Sequence, residues 1–416
     1  MSHRDDFAKS MTKPKAHALI EDLKRWPLLT LGIIGLNVLV YLAIHGDFTP
    51  GYPDINPWRL YGLVPSHLRV GKMLTSNFVH AGIGHLLVNM TILYIFGRDV
   101  ERAMGKLEYA LFYIGACFAS SIMHAAMVIA ALPVYYADQP VVGASGAVAG
   151  VVAIYAVRYH RKAFDFFGVH IPALMVIAVW LVMQLLLALV GLYRDNFWGI
   201  GLKQVSYWSH LGGFAFGLIT ALAGNMALQG EREYLTGEAR RLYDNGSILE
   251  ATQRYEALIK CDPDNAFAHA ELGRFWAILE EEDQSLPYYH MAIEWYLSQG
   301  REAEALACAE EMKRFWPNAV VSAPTRFRFA SYLEESGHTK EAIDSLRRLA
   351  DDDPDSVEAE MALLKIGQFQ LSYQGDASQA LSTLEDFLSR YPDSEWRLYA
   401  EEMIARAIDS LAAERK

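Results

Sequence analysis

Three groups of residues in the first half of this chain could cooperate in acyl-transfer chemistry. The first is Val142-Gly143-Ala144-Ser145-Gly146-Ala147-Val148-Ala149-Gly150, a serine among small residues in an apolar run. A hydroxyl so placed becomes a nucleophile when an imidazole nitrogen comes within hydrogen-bond reach. His210, followed by Leu211, Gly212 and Gly213, offers that imidazole. Gly146 and Gly150 form one small-xxx-small face, and Gly213 and Gly217 form another. Such faces allow close helix contact in a bilayer. If the two meet, Ser145 and His210 become neighbours. Taken alone, the serine motif reads better as packing, and His210 as an interhelical hydrogen bonder. The third group is His80-Ala-Gly-Ile-Gly-His85-Leu-Leu-Val-Asn89. His85 and Asn89, four apart, share a helix face. An imidazole N–H and a carboxamide could stabilise the oxyanion of a tetrahedral intermediate, with the Ser145 backbone N–H at a helix start as a third donor. A structural hydrogen-bond ladder is the alternative, as is a metal site on His80 and His85. The metal reading is weak without the glutamate of His-Glu-x-x-His, so no metal or cofactor is expected.

The elements that must position these groups are membrane spans. Six segments reach or approach the roughly 20 apolar residues a bilayer requires: 28–44, 77–96, 107–132, 142–159, 171–192 and 207–228. Arg4, Lys9, Lys13, Lys15, Lys24 and Arg25 precede the first span. Arg98, Arg102 and Lys106 lie between the second and third, and Arg158, Arg161 and Lys162 between the fourth and fifth. The opposite loops are poorer in Lys and Arg, although the long first loop carries Arg59, Arg69 and Lys72. The positive-inside rule then puts both termini in the cytoplasm. Spans two, four and six all enter from the outer face, and the polar residues His80, His85, Asn89, Ser145, Ser209 and His210 fall in their first turns. Polar groups in hydrocarbon are costly and usually face the bundle interior, so a common depth suggests one shared site.

Charge separates two halves. Before residue 231 there are 17 Lys and Arg against 12 Asp and Glu; after it, 20 against 37. The excess near +5 suits anionic headgroups, and the −17 of the tail argues against a nucleic-acid partner. Cys117, Cys261 and Cys308 are too few and too scattered for a disulfide framework or zinc site. The polar first 26 residues are unlike the apolar core of a signal peptide, so the first span is expected to remain in the mature protein.

The order His-x4-His-x3-Asn, then Gly-Ala-Ser-Gly, then His with Gly-Gly-x3-Gly resembles the rhomboid family of intramembrane serine proteases. Leu74-Thr-Ser-Asn-Phe-Val-His80 and Gly97-Arg-Asp-Val-Glu101 extend the resemblance, which covers about residues 25–226. It implies hydrolysis of peptide bonds in or near transmembrane segments of other proteins by a Ser–His dyad. By position Ser145 is nucleophile and His210 base, His85 and Asn89 stabilise the oxyanion, and His80, Gly143 and Gly146 support. Glu101 and Gly105 match a structural turn. Two positions depart from the family pattern. Ala149 stands where many members place an aromatic against the catalytic imidazole, leaving its orientation to neighbours such as Tyr207 or Trp208. Lys72-Met73 replaces Trp-Arg. The alternative is a catalytically inactive, rhomboid-like scaffold or receptor that binds transmembrane helices. Asp195, Asn196, Phe197 and Trp198 form either a cap over the site or an ordinary interfacial loop.

In the tail, Gly, Ala five residues on and Pro twelve further recur: 246/251/263, 300/305/317, 337/342/354 and 375/380/392. The wider gap after the first leaves room for a degenerate copy around 271–297. Each unit fits two helices joined at the glycine, resembling tetratricopeptide repeats, whose stacked pairs imply a protein or peptide partner. The expected chain is therefore all-α: a cytoplasmic segment 1–26, a six-helix transmembrane bundle over 27–228, and a cytoplasmic α-solenoid over 229–416. Its expected partners are transmembrane substrates, the lipid bilayer and a ligand of the repeats. A bacterial plasma membrane is the expected location.

Overall fold

The computed structural model describes residues 26–45, 57–166, 168–194, 196–197, 200–201, 206–374 and 376–414. The N-terminal basic residues, Asp195, Trp198, Lys203 and Gly375 lie outside them. The chain forms two compact units, Met1–Tyr234 and Leu235–Lys416. Apart from short strands, both are helical.

The first unit contains α1 (Leu28–His45), α2 (Val70–Thr75), α3 (Ile83–Met104), α4 (Lys106–Ala131), α5 (Ser145–Arg158), α6 (Ala173–Tyr193), α7 (Tyr207–Ala223) and the start of α8 (Met226–Asp244). By length and composition α1, α4 and α6 can each cross a membrane, which makes this an integral membrane protein. The other segments differ from the simple spans expected. The backbone turns by 93° between the short helices at Val70–Phe78 and α3, and by 67° between α7 and α8. Residues 79–82 are not helical, so His80 precedes α3 instead of lying within it. At its far end α3 runs past Phe96 to Met104, where Gly105 at φ 88° terminates it. Between α5 and α6, β1 (Ala163–Phe166) pairs antiparallel with β2 (Val169–Pro172).

Helix α5 is the centre of the bundle. Every residue from Gly146 to Ala156 is buried. A side chain added at Gly213 would strike the Gly146 carbonyl, and one at Gly217 the Gly150 carbonyl. The two small-residue faces are therefore in contact along α5 and α7. Without a hydrophobic drive between helices in lipid, van der Waals contact of this closeness holds them together. Glu101 on α3, 2% exposed, secures the start of α1. Its carboxylate accepts from Leu29 N–H at 3.0 Å, Thr30 N–H at 2.8 Å and Thr30 Oγ1 at 2.7 Å. The two N–H groups are orphan donors of a helix N-terminus.

The second unit continues with α9 (Ile248–Cys261), α10 (Ala266–Ile278), α11 (Glu282–Ser298), α12 (Glu302–Phe315), α13 (Ala323–Glu335), α14 (Thr339–Asp352), α15 (Val357–Phe369), α16 (Ala377–Arg390) and α17 (Arg397–Glu414). Gly246, Gly300 and Gly337 sit at the helix–helix turns with φ of 83°, 69° and 82°, a conformation glycine adopts without steric cost. The alanines five residues on, Ala251, Ala305, Ala342 and Ala380, are completely buried between helices. The degenerate copy turns at Glu280, φ 63°, with Ser285 in the alanine position. Its second helix, α11, packs on both α10 and α12, so the wide gap holds one helix and one turn more than the others.

Candidate active site

Ser145 is the first residue of α5, and His210 is in the first turn of α7. Contact between the glycine faces brings these two helix starts together. His210 Nε2 lies 2.8 Å from Ser145 Oγ, and its Nδ1 lies 2.8 Å from Gln184 Oε1 on α6. Tyr207 meets the imidazole edge-on, with ring centres 6.3 Å apart and planes at 87°. Trp180 of α6 lies at 6.3 Å with a 33° tilt.

The site opens into a cavity of about 680 Å³ shared by α3, α5 and α6. Ser145, His210, His85 and Asn89 line it together with apolar residues including Val88, Ile92, Val148, Ala149, Val152, Val176 and Ile177. All four candidate reacting groups thus face one space. Asn89 has one N–H committed, Nδ2 donating to the His85 carbonyl at 3.0 Å, which leaves the other amide hydrogen. His80 is fully buried behind this wall. It accepts a long hydrogen bond of 3.4 Å from Ala144 N–H, and its ring meets that of His85 edge-on at 5.1 Å. It does not line the cavity.

Gly143 and Gly146 each sit where a side chain would not fit. Gly143 has φ 130°, and a Cβ there would lie 2.6 Å from His85 Cε1 and 2.9 Å from its Nε2. A Cβ on Gly146 would lie 2.5 Å from both Ser120 Cβ and Ser209 Oγ. The backbone leading to Ser145 is pinned: Leu63 and Val141 exchange two hydrogen bonds, and Gly143 N–H donates to the Ser76 carbonyl at 2.9 Å. Among the described residues no group of three or more His, Cys, Asp or Glu side chains is arranged to hold a metal ion.

Sequence reasoning missed Gln184 and Trp180, looking to Tyr207 or Trp208 for the orientation of His210. Gln184 is the one carboxamide in a 21-residue apolar helix, and that oddity was the available signal. Asn196 and Phe197 pair with Ile200 and Gly201 in a minimal hairpin, whereas Asp195 and Trp198 lie outside the described residues.

Comparison with known proteins agrees with this architecture. A rhomboid domain profile matches residues 67–225, and a tetratricopeptide repeat profile matches 361–394. The chain is 30% identical over 192 residues to Rhomboid-like protein 11, chloroplastic, of Arabidopsis thaliana, covering 45% of this chain and 62% of that one. It is 28% identical over 144 residues to Rhomboid protease GluP of Bacillus subtilis, covering 33% and 26%. Inactive rhomboid protein 1 of Drosophila melanogaster matches at 35% over 82 residues, covering 20% and 5%. The chain thus spans less than two thirds of each of these relatives. Among solved structures, a tetratricopeptide protein of Thermus thermophilus aligns with 44% of this chain and 99% of its own, at 17% identity and a TM-score of 0.21. The first half of this chain carries a rhomboid domain, and the second half carries tetratricopeptide repeats.

Proposed function

We propose that this chain is an intramembrane serine protease in which Ser145 is the nucleophile and His210 the general base. The observation that carries the reading is the 2.8 Å contact between His210 Nε2 and Ser145 Oγ at the wall of a largely apolar cavity. In this mechanism Ser145 Oγ attacks the scissile carbonyl while its proton passes to His210 Nε2. The oxyanion forms beside the His85 imidazole, the free Asn89 amide hydrogen and the Ser145 backbone N–H at the start of α5. Collapse of the intermediate breaks the C–N bond, and His210 returns its proton to the departing amine. Water, deprotonated by the same imidazole, then hydrolyses the acyl-enzyme. The apolar cavity lining suits a substrate that is itself a transmembrane segment.

The protease domain is assigned to residues 27–228 and the repeat domain to 229–416. Six spans with both termini cytoplasmic follow from the basic loops, and a bacterial plasma membrane is the proposed location. The repeats then lie on the cytoplasmic side, where they recruit a protein or peptide partner or substrate. A second reading, a non-proteolytic scaffold that binds transmembrane helices, is favoured by Ala149 in place of an aromatic. The similarity to an inactive rhomboid protein leans the same way.

A fluorophosphonate probe separates the two. The protease reading expects labelling of the full-length protein in detergent and none of Ser145→Ala. Equal labelling of both, or undiminished cleavage of a transmembrane reporter by His210→Ala, would overturn the dyad assignment. Deletion of 231–416 is expected to leave labelling intact and to reduce cleavage of the natural substrate.

A further inference from the structure

A carboxamide in an apolar membrane helix costs free energy unless it finds a partner. Gln184 is 5% exposed, and its Oε1 lies 2.8 Å from His210 Nδ1. A neutral imidazole has one N–H and one lone pair. Since a carboxamide oxygen can only accept, Nδ1 carries the proton and Nε2 turns its lone pair to the Ser145 hydroxyl. That is the tautomer a general base requires, because the other has nothing on Nε2 with which to take the proton. Trp180, one turn before Gln184 on the same helix, lies beside the imidazole with a 33° tilt. Trp180 and Ala149 both line the cavity beside the dyad.

We propose that Gln184 is a positioning residue that fixes the tautomer and orientation of His210, an assignment that rests on the protease reading above. The acceptor comes from α6, whereas the dyad comes from α5 and α7. Of its 21 residues, α6 buries only Ala173, Ile177, Gln184, Ala188 and Gly191. Its hold on the bundle is slight, so His210 is kept in its base form only while α6 is seated against α7. Ala188, packed on Tyr207, is part of that seat.

The test uses the full-length protein in lipid nanodiscs, with 15N-labelled histidine and a cleavage assay run side by side. Wild type should show a proton-bearing Nδ1 and an unprotonated Nε2 on His210. Gln184→Leu should give a mixture of tautomers and a roughly tenfold fall in kcat, equivalent to about 1.4 kcal/mol, with KM for a transmembrane substrate unchanged. Gln184→Glu, whose carboxylate also accepts from Nδ1–H, should restore the tautomer and most of kcat. Ala188→Phe, which wedges α6 away from Tyr207, should reproduce the mixed tautomer. The positioning role is refuted if Gln184→Leu keeps both the Nδ1–H tautomer and wild-type kcat. It is also refuted if the Leu and Glu variants lose activity only in step with their thermal midpoints. An unchanged tautomer in Ala188→Phe refutes the dependence on the seating of α6. Failure of the wild type to cleave or label would sink the protease reading instead, while the nitrogen resonances still report on Gln184.

Discussion

Gly143→Ala is a small change whose cost can be worked out from the site. The residue has φ 130°, and its new Cβ would fall 2.6 Å from His85 Cε1, where an ordinary contact begins at 3.4 Å. The imidazole must therefore retreat by about 0.8 Å, or the 143–145 backbone must move by as much. Two costs follow. Placing an L side chain in the left-handed half of backbone space costs about 1–2 kcal/mol of stability. Displacing His85, the proposed oxyanion donor, removes stabilisation that, for one such donor, is worth about 10²–10³ in kcat. The displaced ring stays close to its place, so the expected fall is toward the lower end, on the order of 100-fold. The assay is single-turnover cleavage of a transmembrane reporter at saturating substrate, paired with thermal unfolding in the same detergent. The variant should remain folded, bind substrate with unchanged affinity and turn over slowly. His85→Ala combined with Gly143→Ala should be little worse than His85→Ala alone, because both act through one ring. Wild-type kcat in a folded Gly143→Ala would refute the reasoning, as would full additivity of the two changes.

Two further outcomes concern stability. Glu101→Ala strands Leu29 N–H and Thr30 N–H at the start of α1 and leaves the Thr30 hydroxyl only its 3.4 Å contact with the Tyr109 hydroxyl; at about 1–3 kcal/mol for each orphaned group, a loss on the order of 2 kcal/mol or more is expected in detergent unfolding. A variant as stable as wild type would show that α1 is held by other contacts. In the repeat unit, Arg274 grips Glu311 through two 2.7 Å hydrogen bonds, and Tyr289 donates to the same carboxylate at 2.9 Å. Burial pushes the Glu311 carboxyl up, but Arg274 more than offsets this and holds it below its ordinary value of 4.5. A lowered carboxyl stabilises the fold above its unfolded pKa, and that contribution disappears as pH falls through the folded one. Glu271, raised chiefly by burial, acts in the opposite direction. Acid unfolding of the full chain followed by Trp316 fluorescence should therefore be shallower below pH 4.5 in Glu311→Gln than in wild type; a steeper acid limb would reverse the assignment.

What the sequence made legible depended on contrast. Ser145, His210, His85 and Asn89 stand out because polar side chains are rare against long apolar runs, and the two glycine faces give a reason for α5 and α7 to meet. Gln184 offered the same contrast in a still more apolar helix, but it belongs to no motif, and only coordinates reveal which way α6 faces. In the repeats, the glycines mark turns because L side chains disfavour positive φ. Glu280 occupies an equivalent turn without any residue-type signal, so the copy it begins was visible only as a gap. The doubled role of α11 has a chemical correlate that no spacing could convey. Glu271 and Arg274 on α10, Tyr289 on α11 and Glu311 on α12 form one hydrogen-bonded group across three helices. Ser285 adds a second tie, donating to the Gly273 carbonyl at 2.8 Å and accepting from Trp316 Nε1 at 2.9 Å. An alanine there, as in the other copies, could make neither bond.

The start of α5 at Ser145, and not at Val142, is the detail on which the chemistry turns. The apolar run 142–159 alone would begin the helix three residues earlier, although Ser145 reads as lying near a helix start. The cause lies in the preceding backbone, which the Leu63–Val141 bridge holds extended and Gly143 bends at positive φ. At 1.5 Å per residue, the 14 residues of α5 span about 21 Å, short of a hydrocarbon core of roughly 30 Å. Its neighbour α4, with 26 residues, reaches about 39 Å. A helix that begins late leaves its first N–H groups, which have no partners within the helix, at the cavity that Ser145 lines. Their partial positive charge is then presented at Ser145, on the wall of that largely apolar cavity, where the proposed mechanism develops its oxyanion. Coiling residues 142–144 into the start of α5 would satisfy those donors and carry Ser145 into the second turn of the helix. In the proposed mechanism a nucleophile there would keep its histidine and lose the dipole that stabilises the oxyanion.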